Sequence, residues 1–290
     1  MTETRLVELS AGPIEYLDSG DGPPLVFLHG AMKDAEVWRE VVARLDGAYR
    51  CIRPTMPLGA HRLPMHPDAD LSVAGLAALV GEFLDALEVS DVTLIQNHWG
   101  AAQIMLADGH GDRLGRLVLS ACEAFDNYPP GVPARLFARA ARLPGLLTAL
   151  GTALRGSRFR RRYAAGDATV AHPLPADLAD RWLLRFTDPA IRRDLAKVLR
   201  ATYSPADKAR WAAAAEHFTG PVLVVWASQD RLMPRDHGPR LAASFPRAEL
   251  VEVEDSGTCI PLDRPEEFAT AVLRFLKNGA FRRTVDPPPM

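Results

Sequence analysis

Apolar residues fall along this chain in two rhythms. Short aliphatic and β-branched runs, namely RLVEL, PLVFLHG, AYRCIRP, DVTLIQN, RLVLSA, PVLVVWAS and AELVEVE, are each bounded by Gly, Pro or Asp. Their length and turn-residue flanks predict strands. Between them, AEVWREVVARL (35–45), LSVAGLAALVGEFLDAL (71–87) and PEEFATAVLRFLKN (265–278) repeat apolar residues every three or four positions, which predicts amphipathic helices. Strands alternating with helices build a mostly parallel sheet covered on both faces. The opening RLVELSAGPIEYLDSG has no helical stretch between its two apolar runs, so an antiparallel start is expected.

The alternation stops after LVLSACEAF and resumes only at GPVLVVWASQD. Residues 127–206 carry helical patterns and prolines alone, which predicts a helical cap inserted into a core made of residues 1–126 and 207–280. The last stretch, FRRTVDPPPM (281–290), is expected to be a tail, because its prolines cannot continue a helix.

Composition narrows the class of partner. With 290 residues, 48% hydrophobic and 24% charged, the chain can bury a large core. A formal net charge of -2 gives no global field that would gather nucleic acid or an anionic membrane, so neither is expected as a partner. The N-terminus MTETRLVELS lacks a signal pattern, and no apolar run approaches the ~20 residues of a membrane span. Cys51, Cys122 and Cys259 are odd in number and lack metal-ligand spacing, so reduced thiols and a cytoplasmic location are expected. With no H-E-x-x-H, G-x-G-x-x-G or P-loop motif, the expectation is a site without metal or cofactor. Monomer and homodimer both stay open.

Five segments, FLHGA, QNHWG (96–100), RLGRLVLSACEAF (113–125), VVWASQDRLMP (224–234) and DSGTCIPLDRPEEF (255–268), come in an order and spacing that resembles the α/β-hydrolase superfamily over residues 5–278. The haloalkane dehalogenase and epoxide hydrolase branches are the most similar. The resemblance implies an α/β-hydrolase fold, with a mostly parallel eight-stranded sheet flanked by helices and an inserted helical cap. It also implies that the turn His29-Gly30-Ala31-Met32 supplies one oxyanion-hole donor, the Ala31 N–H, and that the residue after the nucleophile, Trp99, supplies the second.

Two positions break the family pattern. The nucleophile position is His98, where the family carries Ser, Cys or Asp, and the residue after Ser256-Gly257, normally the catalytic histidine, is Thr258. A threonine hydroxyl cannot collect a proton near neutral pH. The acid survives: Asp230 matches the family's usual position and Glu123 an alternative one. In the loop RPTMPLGAHRLPM, Thr55 also replaces the Asp that is usual there. The imidazole is therefore read as having moved from the last loop to the elbow, with His98 as a base oriented by Asp230 or Glu123. Such a dyad beside an oxyanion hole suits cyclisation, elimination, isomerisation or lyase chemistry on a mostly apolar small molecule, as in the biosynthesis of a specialised metabolite. Two alternatives stay open: His98 activates water against an epoxide, ester or haloalkane, or the protein binds a ligand without converting it.

The substrate pocket is expected to draw on His29, Trp99, Phe125, Trp182, Phe186, Tyr203 and Thr258, with Tyr163 or Tyr203 in the place of a lid tyrosine; the resemblance also implies that the His29 ring bonds neighbouring backbone and steadies its own turn. His61 and His66 read as loop histidines at the surface. From Gly131 to Gly166 the cap holds eight arginines and no acidic residue, a patch suited to an acidic carrier protein, a phosphate-bearing thioester, a membrane surface or plain solvation.

Overall fold

The computed structural model describes residues 2–45 and 47–280; the tail 281–290 lies outside them. Strands β1 (Glu3–Leu9) and β2 (Gly12–Ser19) form an antiparallel hairpin, as the sequence rhythm predicts. The remaining strands are β3 (Pro24–Leu28), β4 (Arg50–Pro54), β5 (Val92–His98), β6 (Leu114–Cys122), β7 (Val222–Ala227) and β8 (Ala248–Val253). They assemble in the order β1-β2-β4-β3-β5-β6-β7-β8, with β2 antiparallel to β4 and every pair from β4 onward parallel. All seven residues of β5 are buried, as a central parallel strand covered on both faces requires.

Chain order reverses at β3, which has β4 on one side and β5 on the other. A crevice opens at the carboxyl ends of strands at such a switch point. The loops after β3 and β5 therefore meet there, which brings His29 to Lys33 against His98.

Helices α1 (Arg39–Val42), α2 (Val73–Ala86) and α3 (Ala101–Ala107) follow β3, β4 and β5. The stretch 35–45, predicted as one helix, is a 3₁₀ turn (Ala35–Trp38) followed by the short α1. Its first turn is drawn tight by Asp34, whose carboxylate accepts from Glu36 N while also holding Arg181 and Trp182 of the cap. The other two predicted helices form as α2, capped by the Ser72 hydroxyl on Gly75 N, and α12 (Pro265–Ala280). The short α10 (His237–Ala243) follows β7, and α11 (Ile260–Asp263) leads into α12.

Between β6 and β7 come six helices: α4 (Gly131–Ala140), α5 (Leu146–Ala153), α6 (Ser157–Ala165), α7 (Ala176–Arg185), α8 (Pro189–Arg200) and α9 (Pro205–Ala214). The last of them packs on α3. Polar bonds tie this insertion to the sheet loops. Trp182 Nε1 donates to Asp34 Oδ1 at 2.7 Å, Cys259 N to Thr169 O at 2.6 Å, and Ala171 N and His172 N to the Asp263 carboxylate at 2.9 and 3.0 Å. His61 is not a surface histidine: it is buried, with Nε2 3.2 Å from the buried Asp194, because α8 folds down over its loop. His66 is exposed.

Candidate active site

His98 ends β5 with φ +70°, a left-handed conformation that costs a non-glycine residue roughly 1–2 kcal/mol. Hydrogen bonds hold the kink. Trp99 N donates back to Asn97 O at 2.8 Å, and Glu123 N donates to His98 O at 3.0 Å. The Asn97 amide reaches Ser120 O at 3.1 Å and Thr258 O at 2.6 Å, binding the elbow to the loop after β8. Gln96 Oε1 accepts Ala102 N at 2.6 Å, in the first turn of α3.

The imidazole bonds neither Asp230 nor Glu123 among the described residues. Instead it lies on the turn after β3, where Ala31 N donates to His98 Nδ1 at 3.2 Å. Gly30 makes that approach possible, since a Cβ there would sit 2.3 Å from His98 Nδ1. An acceptor Nδ1 has its lone pair engaged, so the neutral ring carries its proton on Nε2. Protonating Nδ1 would set two N–H groups against each other. Burial, together with the Lys33 charge and only partly offset by Asp167, pushes the His98 pKa down to about 4. The side chain is thus a neutral donor through Nε2–H, which has no partner among the described residues.

This arrangement corrects three expectations. The dyad of His98 with Asp230 or Glu123 does not form. Asp230 Oδ1 is occupied by Thr258 Oγ1 at 2.7 Å, Leu232 N at 2.8 Å and Met233 N at 3.0 Å, while its buried Oδ2 has no partner. The two expected oxyanion donors are also spoken for, since Ala31 N bonds His98 and Trp99 N bonds Asn97. The longer imidazole has entered the space where an oxyanion would sit.

A cavity of about 530 Å³ opens above the elbow, within the range of small-molecule sites. Met32, Leu58, Leu76, Trp99, Trp182 and Leu183 give it apolar walls. Of the expected pocket residues, Trp99, Trp182 and Tyr203 line it, as does Tyr163. The rest do not. His29 is buried beneath the turn, with Nδ1 donating to Gly30 O at 2.8 Å and Nε2 accepting Met56 N at 2.9 Å. Phe125 packs edge-on to His237 with Arg240 over its face, and Phe186 sits in a separate apolar cluster within the cap. Thr258 is fully buried against Asp230.

Two charged cavity residues escaped the sequence reading. Lys33 Nζ lies 2.6 Å from Asp167 Oδ2 and 5.0 Å from the Trp182 ring centroid. Burial opposes both charges, yet their attraction prevails, leaving the Lys33 pKa raised and the Asp167 pKa lowered. Thr169 completes the site by donating N–H and O–H to Asp167 Oδ1. Lys33 had a local signal, four residues after His29 on the same turn, and Asp167 is the first acid after the arginine-rich run. Their pairing spans 134 residues and has no local signature.

Glu123 also lines the cavity. Among the described residues, its carboxylate takes one hydrogen bond, a long one of 3.5 Å from Gly100 N. Burial raises its pKa to about 8, against smaller opposing effects of that bond and the Lys208 charge. Of the two carboxyls lining the cavity among the described residues, Asp167 is held low by Lys33, and Glu123 is the one that can change protonation near neutral pH. Cys122 and Cys259, by contrast, are buried thiols pushed up to about 12, which leaves them unreactive.

The Asp230 contacts make a prediction. Asp230→Ala leaves two backbone N–H groups and the Thr258 hydroxyl without their acceptor, and urea denaturation should show a loss of about 2–4 kcal/mol. The nitrogen-15 signals of the His98 ring should stay in place, because that ring does not touch Asp230. A shift in those signals would reinstate the dyad.

Comparison with known proteins agrees with this architecture. The model of the alpha/beta hydrolase family matches residues 25–271. Haloalkane dehalogenase 2 of Mycobacterium tuberculosis (strain ATCC 25618 / H37Rv) is 28% identical over 278 residues, covering 93% of this chain and 94% of that protein. Among solved structures, the epoxide hydrolase CorEH superposes with a TM-score of 0.78 at 17% identity, covering 96% of this chain and 99% of its own. An alpha/beta hydrolase fold protein from Burkholderia ambifaria gives 0.76 at 23% identity, covering 94% and 100%.

Proposed function

Because this chain belongs to the alpha/beta hydrolase family but carries at its elbow an imidazole in place of a nucleophile, we propose that it is a cofactor-free enzyme of acid/base chemistry on a mostly apolar small molecule. The observation that carries this reading is the Ala31 N–H bond to His98 Nδ1. It fixes Nε2–H as a donor in a cavity walled by apolar side chains. A donor so placed stabilises negative charge developing on a substrate oxygen. Glu123 carries the proton. With a pKa of about 8, roughly a tenth of it is ionised at pH 7, close to the optimum for a group that must both take and return a proton. The ionised carboxylate removes a proton from carbon beside a carbonyl, the electron pair moves onto the oxygen bonded by His98, and the neutral carboxyl returns the proton elsewhere on the molecule. Isomerisation follows when the proton returns to another carbon, elimination when it returns to a departing oxygen group of the substrate, and cyclisation when the enolate carbon attacks an electrophilic carbon of the same molecule.

An alkylated elbow is a dead end in this site. Attack by His98 on a haloalkane would leave a C–N bond that water does not cleave, and Thr258 cannot activate water.

A hydrolytic reading keeps support from the relatives, which are named as a dehalogenase and an epoxide hydrolase. In that reading Glu123 activates water while His98 polarises an epoxide or ester oxygen. One panel separates the readings: epoxides, esters, haloalkanes and enolisable ketones, incubated in heavy-oxygen water and in deuterium oxide. The expected result is deuterium entering carbon beside a carbonyl, rising with pH through about 8, with no labelled oxygen in the product and no halide released. Labelled oxygen or halide would establish hydrolysis instead, and a ligand recovered unchanged and unexchanged would establish a binding protein.

A further inference from the structure

The cap presents a surface that the cavity chemistry does not use. Among the described residues, eight large apolar side chains stand well exposed, and five of them fall between residues 131 and 166: Val132 (65% exposed), Leu136 (56%), Leu143 (59%), Leu146 (42%) and Phe159 (40%). The same stretch holds eight arginines and no acidic residue. Two arginines are used internally: Arg160 bonds Asp180 and backbone carbonyls, and Arg135 bonds Pro129 O and Asn127. The side chains of Arg139, Arg142, Arg155, Arg158, Arg161 and Arg162 meet no carboxylate among the described residues.

The two residue types are interleaved at helical spacing. On α4 and just beyond it, Val132, Leu136, Arg139 and Leu143 recur every three or four residues, all exposed. Around α6, Arg155, Arg158, Phe159 and Arg162 are likewise exposed and fall at i, i+3, i+4 and i+7. Both stripes border the cavity, whose wall includes Pro133 and Phe137 from α4 and Phe159 and Arg162 from α6. An apolar chamber thus opens beside a surface that is basic and apolar at once, on a protein of formal net charge -2.

We propose that this face of the cap docks on an anionic phospholipid bilayer, with the arginines on lipid phosphates and the five apolar side chains sunk into the acyl boundary. Charge complementarity selects the occupant: a stretch with six arginines that meet no carboxylate among the described residues, and with no acidic residue of its own, calls for a dense negative field. An acidic carrier protein would answer the arginines, but it would leave the stripe of aliphatic side chains without a use. A bilayer interface takes both, since it rewards cationic heads and buried apolar area together. The contact is peripheral, because no helix among the described residues is long and apolar enough to cross a membrane. It takes up the membrane-surface alternative that the arginine-rich stretch leaves open in the sequence, against the expectation of no membrane partner drawn from net charge and the lack of a long apolar run. An apolar substrate dissolved in lipid would enter the chamber directly, whichever reaction follows.

The test is co-sedimentation of the full chain with vesicles of phosphatidylcholine alone and of phosphatidylcholine mixed with phosphatidylglycerol. Binding is expected only to the mixed vesicles, and it should be released at ~0.5 M salt. Leu136→Ser with Phe159→Ser, and separately Arg139→Gln with Arg158→Gln, should each lower partitioning about tenfold. All four side chains are exposed, and thermal melts matching the parent will show the variants folded. Failure to sediment with mixed vesicles overturns the proposal. So does equal binding to neutral vesicles, indifference to both double variants, or capture by a purified acidic acyl-carrier protein with vesicles left unbound.

Discussion

Glu123→Gln is expected to make the protein more stable at alkaline pH, by up to about 5 kcal/mol, while lowering turnover ~10²- to 10⁴-fold. The sign follows from linkage. In the unfolded chain this carboxyl ionises near ~4.3, whereas burial holds it protonated in the folded protein up to about 8. Between those values the folded state binds the extra proton, so stability falls as pH rises, at up to 1.36 kcal/mol per pH unit. The loss is complete above about 8. Glutamine cannot ionise and can still accept the Gly100 N–H, so the variant loses the slope and keeps the fold. Denaturation at a series of pH values from 5 to 9 checks this, with parent and variant diverging steadily toward high pH. Parallel profiles would show that Glu123 ionises freely, and the proton-carrier role would fall with them. A residue that costs stability where it works is the usual compromise of an active site.

At the acid end, His98 is expected to govern the loss of stability. Its folded pKa is about 4, against ~6.5 in the unfolded chain. Below ~6.5 the unfolded state takes a proton that the folded state refuses. Stability therefore falls as pH drops, by about 3 kcal/mol at pH 4, and is unaffected above ~6.5. His29, buried and lowered by the same cause, adds a second contribution with the same sign. His98→Asn tests the first alone, since asparagine tolerates the left-handed elbow conformation and does not titrate. Acid denaturation of the variant should be shallower by one proton, and turnover should drop ~10²- to 10³-fold for want of the Nε2–H donor. Nitrogen-15 spectra of the parent at pH 7 should show Nδ1 unprotonated and Nε2 protonated. The opposite tautomer, or an imidazole that titrates near 6.5, would remove the donor from the mechanism and return His98 to the role of a base.

What the chain reveals by itself is whatever its periodicity and local chemistry can carry. The strands, the antiparallel first hairpin, the helices α2 and α12 and the break in rhythm at the cap all depend on neighbours within a few residues. So does the elbow, marked by QNHWG after a buried apolar run. The single helix expected over 35–45 is instead a 3₁₀ turn followed by a short α-helix, and Asp34, which caps its first turn, also holds Arg181 and Trp182 of the cap, a long-range tie with no local signal.

The site chemistry lay on the far side of the same limit. His98, Thr258, Asp230 and Glu123 could be named from sequence, because each occupies a recognisable place at a strand end. Which of them touch was decided by a turn in which Gly30 leaves room for a ring, so that the imidazole bonds Ala31 N and not a carboxylate. The Lys33–Asp167 pair joins residues far apart in the chain, and only the cap folded over the sheet brings them together. Protonation followed in turn. Sequence supplies a glutamate and a histidine with ordinary pKa values, while exclusion of water by the assembled cap and sheet raises one and lowers the other, because removing solvent penalises whichever form is charged.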